Sequence, residues 1–264
     1  EGHLYPSIVG YADNILVNGV IIGLIIIGGI GFLTWEDICE YKWKFKSYRM
    51  QSKLILATTV CLIIFPACFF FFADFQHLPV KSRFLASVFQ SVTPRTAGFN
   101  TVDITMMTEA SKVVMILLML IGGSPGSTAG GMKTTTFAVL LLNAVATFKS
   151  QEHAGAFGRR IDDQVIKNAA SIAMLYFMMF LAGGIVISTA EGLPILGSLF
   201  EAASAMGTVG LTLGITPSLH KISLYVLILL MYMGRVGGLT LIYAVFSGKN
   251  KANARFPMEK VMIG

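Results

Sequence analysis

The chain has 264 residues, of which 55% are hydrophobic and only 13% are charged, and its mean hydropathy is +0.72. Soluble globular domains carry roughly 25% charged residues, so this composition excludes a soluble fold and indicates a protein that folds in lipid. The net charge of +6 could suggest a nucleic-acid partner. Because the basic residues follow apolar stretches and no aromatic-basic recognition motif accompanies them, we expect no nucleic-acid binding.

Five stretches are apolar and long enough to cross a bilayer core, which takes about 20 helical residues. They lie near 15 to 34, 54 to 73, 113 to 148, 169 to 190 and 222 to 246, and the third is interrupted. The polar segment before them lacks a basic region that would precede the apolar core of a cleavable signal peptide. The sequence therefore predicts an all-α polytopic membrane protein.

Basic residues are concentrated after the first, third and fifth stretches. They are Lys42, Lys44, Lys46, Arg49 and Lys53, then Lys149, Arg159, Arg160 and Lys167, then Lys249, Lys251, Arg255 and Lys260. Loops rich in Lys and Arg stay on the cytoplasmic side. We therefore predict a multi-pass protein of the cell membrane, with residues 36 to 53, residues 149 to 168 and the C-terminus in the cytoplasm.

The chain repeats itself at an offset of 112 residues. Thr96-Ala97-Gly98 aligns with Thr208-Val209-Gly210, and the tetrapeptide Ile116 to Met119 is identical to Ile228 to Met231. In both copies a glycine follows the tetrapeptide after two residues. Four identities in a row at the offset of the Thr-x-Gly pair indicate two copies of one structural unit.

Each copy contains a helix too short to span the membrane, followed by an extended segment. The first short helix is predicted at Phe84 to Val92, ended by Pro94, and the second runs from Pro194 to Gly207. Such half-helices enter the membrane and the chain must return, so we predict re-entrant pore loops. The predicted units are 51 to 150 and 151 to 264, and residues 1 to 50 are interpreted as the closing helix and basic loop of a preceding unit.

The extended segments Thr96 to Asn100 and Thr208 to Thr212 are candidates for an ion-binding filter. Irregular backbone at membrane depth is tolerated where it is buried in protein or lines a water-filled path. A glycine lets carbonyl oxygens turn inward, and a ring of carbonyls can replace the water around a monovalent cation. A single Thr-x-Gly also closes ordinary buried turns, but two copies in matching settings favour the filter.

Both segments resemble those of a known family. The segments Ser91 to Thr101 and Gly207 to Thr212 resemble the third and fourth pore loops of the Ktr/Trk/HKT superfamily of potassium transporters, and the chain from Asp13 onward is most similar to the membrane subunits of bacterial Ktr systems. The resemblance implies four helix, pore-loop, helix units around a central pore that binds K⁺, with Na⁺ as a further candidate, at backbone carbonyls. It implies these filter residues: Thr96, Ala97, Gly98, Phe99, Asn100, Thr208, Val209, Gly210 and Leu211. The family's first two filter segments have no counterpart in the chain and are expected upstream of it.

The interruption of the third stretch is rich in glycine and contains Pro125, so it cannot continue a helix. By the same resemblance it is the intramembrane gating loop beneath the filter. The implied gate residues are Gly122, Gly123, Ser124, Pro125, Gly126, Ser127, Thr128, Ala129, Gly130, Gly131, Lys133 and Arg235. A phosphate-binding loop is the alternative, but its spacing is broken by Met132 and no strand precedes it.

Three charged residues in or near the predicted pore have open interpretations. Arg235 lies inside the last stretch, where a guanidinium is costly. It is either a cationic barrier beside the gating loop or half of a structural ion pair with another unit. Glu201 and Asp103 could attract cations at the outer mouth or act as hydrogen-bonding struts.

The predicted function is transport of K⁺ across the membrane, without enzymatic activity, because no catalytic constellation is found. The cysteines and histidines lack ligand spacing, so no transition-metal site is expected. The resemblance implies lipid as surroundings and a homodimer on a cytosolic, KtrA-like ring of nucleotide-binding regulatory subunits. The alternative function is a broken-helix secondary transporter for another substrate; an intramembrane protease would need a Ser-His or paired-Asp set that is lacking.

Overall fold

The computed structural model describes residues 7 to 237, and these residues form nine α-helices. The helices are α1 (Ile15–Ile30), α2 (Phe32–Tyr41), α3 (Met50–Ala73), α4 (Val80–Val92), α5 (Glu109–Leu120), α6 (Thr134–Phe148), α7 (Asp163–Glu191), α8 (Ile195–Met206) and α9 (Lys221–Val236). A two-stranded antiparallel ribbon, β1 (Gly155–Ala156) and β2 (Arg159–Arg160), joins α6 to α7. The predicted all-α fold is confirmed apart from this ribbon.

Two described helices, α3 and α7, are long and apolar enough to cross a membrane as single rods. The predicted third stretch is broken as expected, into α5 and α6. The last predicted stretch is described as α9 up to Val236, and its continuation to residue 246 lies outside the described residues. Uninterrupted spans are therefore fewer than the five apolar stretches of the sequence.

The first predicted span, 15 to 34, is a single helix only up to Ile30. Helix α1 ends at Ile30, and α2 leaves it at an angle of 97°. The turn occurs at Gly31, which has a φ of +89°, and a Cβ at this position would lie 2.5 Å from the Pro125 carbonyl oxygen. Only glycine permits both the torsion and the close approach. The bend is thus imposed by a contact with a distant loop.

The two short helices are present, with one boundary corrected. Helix α4 begins at Val80, after Pro79 as N-cap, and not at Phe84 as predicted. Its first turn is polar and includes Lys81 and Arg83, so the apolar pattern of the sequence does not show where the helix begins. Helix α8 follows Pro194 and ends at Met206, close to the predicted bounds. Both helices are too short to span a bilayer, at about 1.5 Å per residue.

Helix α8 lies at the centre of the main core, where it packs against α5, α7 and α9. Phe200, Ala203 and Met206 of α8 are fully buried, together with Met115 and Met119 of α5. Helix α4 packs mainly against α3 and α1. In lipid, helices associate through close packing and hydrogen bonds, because lipid tails are as apolar as the side chains. This packing holds the end of α8 in a fixed position.

In both copies of the repeat, a carboxylate accepts a hydrogen bond from the N-cap amide of the helix that follows the Thr-x-Gly segment. Asp74 Oδ1 accepts a hydrogen bond from the Thr108 amide at 2.9 Å, and Glu191 Oε1 accepts one from the His220 amide at 2.8 Å. Thr108 and His220 are the N-caps of α5 and α9 and are separated by the same 112 residues as the Thr-x-Gly pair. A carboxylate near a helix N-terminus is favourable because of the helix dipole. The division into units at residues 50 and 150 stays a prediction.

Candidate functional site

The two Thr-x-Gly segments follow the ends of α4 and α8 and share an unusual backbone. Thr96 and Gly98 have φ values of +65° and +75°, and Thr208 and Gly210 have φ values of +53° and +94°. Ala97 and Val209 between them keep negative φ. A positive φ is a genuine outlier for a β-branched residue, and such strain persists where the surrounding structure imposes it, often at functional sites. The same strained pattern therefore occurs at both copies of the repeat.

The two segments lie side by side. A Cβ built on Gly98 would stand 2.2 Å from the Val209 carbonyl oxygen and 3.3 Å from the Gly210 Cα, so no side chain fits there. A Cβ on Gly210 would meet only the Gly98 Cα, at 3.9 Å. Gly98 is thus required by its torsion and by a close backbone approach, whereas Gly210 is required by its torsion alone.

Neighbouring hydroxyl and backbone groups hold each segment in place. Thr93 Oγ1 donates to the Phe99 carbonyl at 2.5 Å, and the Asn100 amide donates to Ser7 Oγ at 3.0 Å. In the second copy, Ser204 Oγ accepts from the Gly210 amide at 3.2 Å. These bonds satisfy polar groups that regular secondary structure would otherwise pair.

Glu201 holds the chain that follows the second Thr-x-Gly segment through hydrogen bonds. It is 4% exposed, and its carboxylate accepts hydrogen bonds from Thr212 Oγ1 at 2.7 Å, the Leu213 amide at 2.9 Å and Thr216 Oγ1 at 2.6 Å. Asp103 likewise caps a short turn by accepting from the amide and hydroxyl of Thr105. Of the two interpretations left open by the sequence, the contacts of both residues favour the structural one.

The glycine-rich segment between α5 and α6 forms a closed loop with a hydrogen-bonded base. The Gly122 amide donates to the Met132 carbonyl at 2.9 Å, and the Met132 amide donates to the Leu120 carbonyl at 3.2 Å. Above this base, Ser124 Oγ and Thr134 Oγ1 are 3.0 Å apart. The loop that interrupts the third apolar stretch is therefore ordered by its own contacts.

Three backbone hydrogen bonds tie the loop to helices on both sides. The Ser124 amide donates to the Gly29 carbonyl at 2.9 Å, and the Phe32 amide donates to the Gly126 carbonyl at 3.2 Å. On the other side, the Gly131 amide donates to the Gly234 carbonyl of α9 at 3.1 Å. The loop consequently bridges the α1–α2 bend and α9.

The loop also touches the second Thr-x-Gly segment. A Cβ built on Gly130 would stand 2.1 Å from Thr208 Oγ1. Gly130 has no positive φ, so the absence of a side chain serves the close contact alone. The structure thus brings the predicted gate residues against the first residue of a predicted filter segment.

Two cationic side chains hold successive carbonyls of the loop. Lys133 Nζ donates to the Ala129 carbonyl at 2.7 Å, and Arg235 Nη1 donates to the Thr128 carbonyl at 2.5 Å. Hydrogen bonds with a charged donor are stronger than neutral ones. Arg235 forms no ion pair with any residue between 7 and 237. Arg235 thus contacts the loop directly, and its two predicted roles stay predictions.

Sequence reasoning missed several residues that build this site. Gly29 and Gly31 of the α1–α2 bend anchor the loop, and Ser204 supports the second Thr-x-Gly segment. Arg95 also went unnoticed, although it directly precedes Thr96 and is 4% exposed. The glycines of α1 are visible in the sequence, but nothing local to them indicates their partners.

Comparisons with known proteins assign the chain to a family. Residues 4–252 match the family model described as TrkH, cation transport protein. The chain is 37% identical to the Potassium/sodium uptake protein NtpJ of Enterococcus hirae and 35% identical to the Ktr system potassium uptake protein B of Bacillus subtilis. Each match covers 99% of this chain and 60% of the relative, so the chain spans less than two thirds of these curated relatives.

A solved structure shares the fold. The crystal structure of the potassium transporter TrkH from Vibrio parahaemolyticus superposes with a TM-score of 0.74 at 21% identity, covering 89% of this chain and 53% of that one. This likeness confirms the predicted polytopic helical membrane fold. From the family match and the identity to its relatives, the chain belongs to the TrkH family of cation transport proteins.

Proposed function

We propose that this chain forms part of a K⁺-conducting path, in which Thr96 to Asn100 and Thr208 to Leu211 supply carbonyl oxygens to a selectivity filter. The observation that carries the proposal is the repeated, strained Thr-x-Gly backbone, in two copies that lie in contact at the ends of α4 and α8. Alternating positive and negative φ turns successive carbonyls toward one side, where they can replace the water shell of a monovalent cation. Relatives named for potassium and for potassium/sodium uptake support K⁺, with Na⁺ as a second ion.

The ends of α4 and α8 contribute to cation binding electrostatically. Each helix C-terminus carries a partial negative charge of about half an elementary charge. Three residues separate the end of α4 from its Thr-x-Gly segment, and one residue separates the end of α8 from its own. A cation at the filter therefore gains favourable interactions with both dipoles, and an anion does not.

The loop from Gly122 to Gly131 acts as a gate beneath the filter in this proposal. It lies against Thr208 and is held by Lys133 and Arg235, so opening requires these contacts to break or move. A cation meeting a guanidinium within about 4 Å is repelled by roughly 4 kcal/mol at an effective dielectric constant of 20. This is enough to slow conduction by orders of magnitude while Arg235 stays in place.

The proposed assembly is a homodimer of complete subunits on a cytosolic ring of nucleotide-binding regulatory subunits. A relative named as protein B of a Ktr system supports a multi-component system. The proposed cytoplasmic C-terminus lies outside the described residues. In this arrangement the regulatory ring would contact the basic loops and shift the helices that anchor the gate.

The test uses the full-length protein in proteoliposomes, with K⁺ and Na⁺ flux measured separately. Gly210→Ala is the variant and Gly214→Ala its matched control, because both glycines have positive φ, +94° and +85°, and both have room for a methyl group. The two substitutions therefore impose similar backbone strain at different places. We expect only Gly210→Ala to weaken discrimination of K⁺ over Na⁺. Equal selectivity of both variants and the wild type would refute the filter, and absence of K⁺ flux in the wild type would refute the proposed transport.

A further inference from the structure

Arg95 is an arginine buried beside the proposed filter. It immediately precedes Thr96, and only 4% of its surface is exposed. Its Nη2 donates to Thr59 Oγ1 of α3 at 3.3 Å, and its Nε has no hydrogen-bond partner among residues 7 to 237. Guanidinium groups are not deprotonated in proteins, so Arg95 carries a full positive charge in this position.

No carboxylate within the described part of the chain neutralises this charge. The ion pairs found there involve Arg49, His153, Arg160 and His220, and none includes Arg95. Thr59 and Arg95 form a single long hydrogen bond with a neutral acceptor. In a low-dielectric, water-poor region the field of an unpaired charge extends over several ångströms with little screening.

The charge faces the same space as the proposed filter and gate. A cavity of about 250 Å³ is lined by Arg95 together with Thr96, Ala97 and Phe99 of the first segment. Thr128 and Ala129 of the loop line its other side. Arg95 therefore borders the same cavity as the proposed filter segment and the loop.

The charge belongs to one copy of the repeat only. The 112-residue offset places Gly207 at the position of Arg95, and a Cβ there would stand 2.3 Å from the Met119 carbonyl oxygen. No side chain of any kind fits at Gly207. The two segments consequently differ in electrostatic environment, although their backbones are alike.

We propose that Arg95 is a specificity-determining residue that lowers the affinity of the inner end of the filter for cations. This inference rests on the proposed function, since it assigns to Arg95 the tuning of ion occupancy in the same path. A fixed positive charge shortens the residence of each ion, and its effect scales with the charge of the ion. It therefore disfavours divalent cations more strongly than K⁺.

The test compares Arg95→Gln, Arg95→Lys and Thr59→Val in the full-length protein. Arg95→Gln removes the charge, and Arg95→Lys replaces the guanidinium with another cationic group. Thr59→Val leaves the charge in place and removes the one hydrogen bond that the guanidinium forms among residues 7 to 237. K⁺ flux in proteoliposomes gives the half-saturating K⁺ concentration. Block by Ba²⁺, which has nearly the radius of K⁺ and twice its charge, gives a second readout.

We expect Arg95→Gln to lower the half-saturating K⁺ concentration by roughly three- to tenfold. Because electrostatic energy is linear in charge, the Ba²⁺ concentration for half block should fall by about the square of that factor. Arg95→Lys and Thr59→Val should stay within about twofold of the wild type in both measurements. A purely structural role for Arg95 would not produce this relation between the two ions.

Two results would overturn the inference. One is a folded Arg95→Gln protein with wild-type K⁺ and Ba²⁺ affinities. The other is a loss of folding or thermal stability in Arg95→Gln that Arg95→Lys restores, which would show that a carboxylate outside the described residues pairs with Arg95. In both cases K⁺ flux of the wild type remains, so failure of this inference is distinguishable from failure of the proposed function.

Discussion

Gly130 of the loop lies directly against Thr208, the first residue of the second Thr-x-Gly segment, with 2.1 Å between a Cβ built on Gly130 and Thr208 Oγ1. A methyl group at Gly130 therefore has to displace either the loop or the second Thr-x-Gly segment. The same Cβ would lie 3.1 Å from the Thr208 Cβ. Removal of the threonine hydroxyl and methyl groups should relieve most of the collision.

This contact predicts energetic coupling between the two residues. Gly130→Ala should destabilise the protein by about 1 to 3 kcal/mol, the usual cost of overpacking, and Thr208→Ala should relieve that cost in the double variant. A double-mutant cycle, measured by thermal unfolding in detergent, should give a coupling energy of about 0.5 to 3 kcal/mol. Additive effects of the two substitutions would contradict the contact.

The role of Arg235 predicts faster transport when its charge is removed. Arg235→Gln keeps much of the side-chain size but gives up the charge-assisted bond to the Thr128 carbonyl, so K⁺ flux should rise while K⁺/Na⁺ selectivity stays unchanged. Lys112→Gln is the matched control, because Lys112 Nζ also donates to a backbone carbonyl, that of Thr105, outside the loop. If Arg235 pairs with a carboxylate of another unit, Arg235→Gln should instead cost about 3 to 5 kcal/mol in stability and reduce flux.

A shorter loop is expected to increase the ion flux. Deletion of Pro125 to Gly130 removes both carbonyls held by Lys133 and Arg235 and the contact with Thr208. Flux measured in proteoliposomes should rise and depend less on any cytosolic regulator. Ser127→Ala is the point change inside the same loop for comparison, since among residues 7 to 237 its hydroxyl accepts one long bond, from the Ala129 amide at 3.4 Å. A folded deletion variant with wild-type flux would show that the loop is no gate.

The environment of Glu201 predicts a structural effect without a transport effect. Glu201→Ala leaves three donors without their acceptor, at about 1 to 3 kcal/mol for each unsatisfied buried group. Glu201→Gln can keep most of these bonds and removes only the charge. We expect the alanine variant to unfold at clearly lower temperature and the glutamine variant to retain wild-type flux at low salt. A large loss of low-salt flux in Glu201→Gln would identify the carboxylate as a cation attractor.

Features of the fold with a local cause could be predicted from the sequence. The break between α5 and α6 follows from glycines and a proline that no helix tolerates. The short helices were found because Pro94 and Pro194 mark their boundaries. The bend at Gly31 could not be predicted, because it depends on the Pro125 carbonyl, which is almost a hundred residues away.

The glycines of the candidate site could be predicted from the sequence, but the residues that contact and hold the two segments could not. Thr96 to Gly98 and Thr208 to Gly210 were found from the repeat, and the structure adds their mutual contact. Glu201 remained ambiguous, because its three donors come from a segment that doubles back only in the folded chain. Arg95 gave no sign of its burial, since a lone arginine after a proline is ordinary in a surface turn.

The anchorage of the loop has a mechanical consequence. Its hydrogen bonds reach Gly29 and Phe32 on one side and Gly234 and Arg235 on the other, so it spans helices that the sequence assigns to different repeats. Backbone hydrogen bonds have donor–acceptor distances of about 2.7 to 3.2 Å, and a contact stretched to about 3.6 Å is no longer one. A movement that separates α1 from α9 would therefore stretch the hydrogen bonds that the loop makes to both helices. The distance between these two helices would determine when those bonds break.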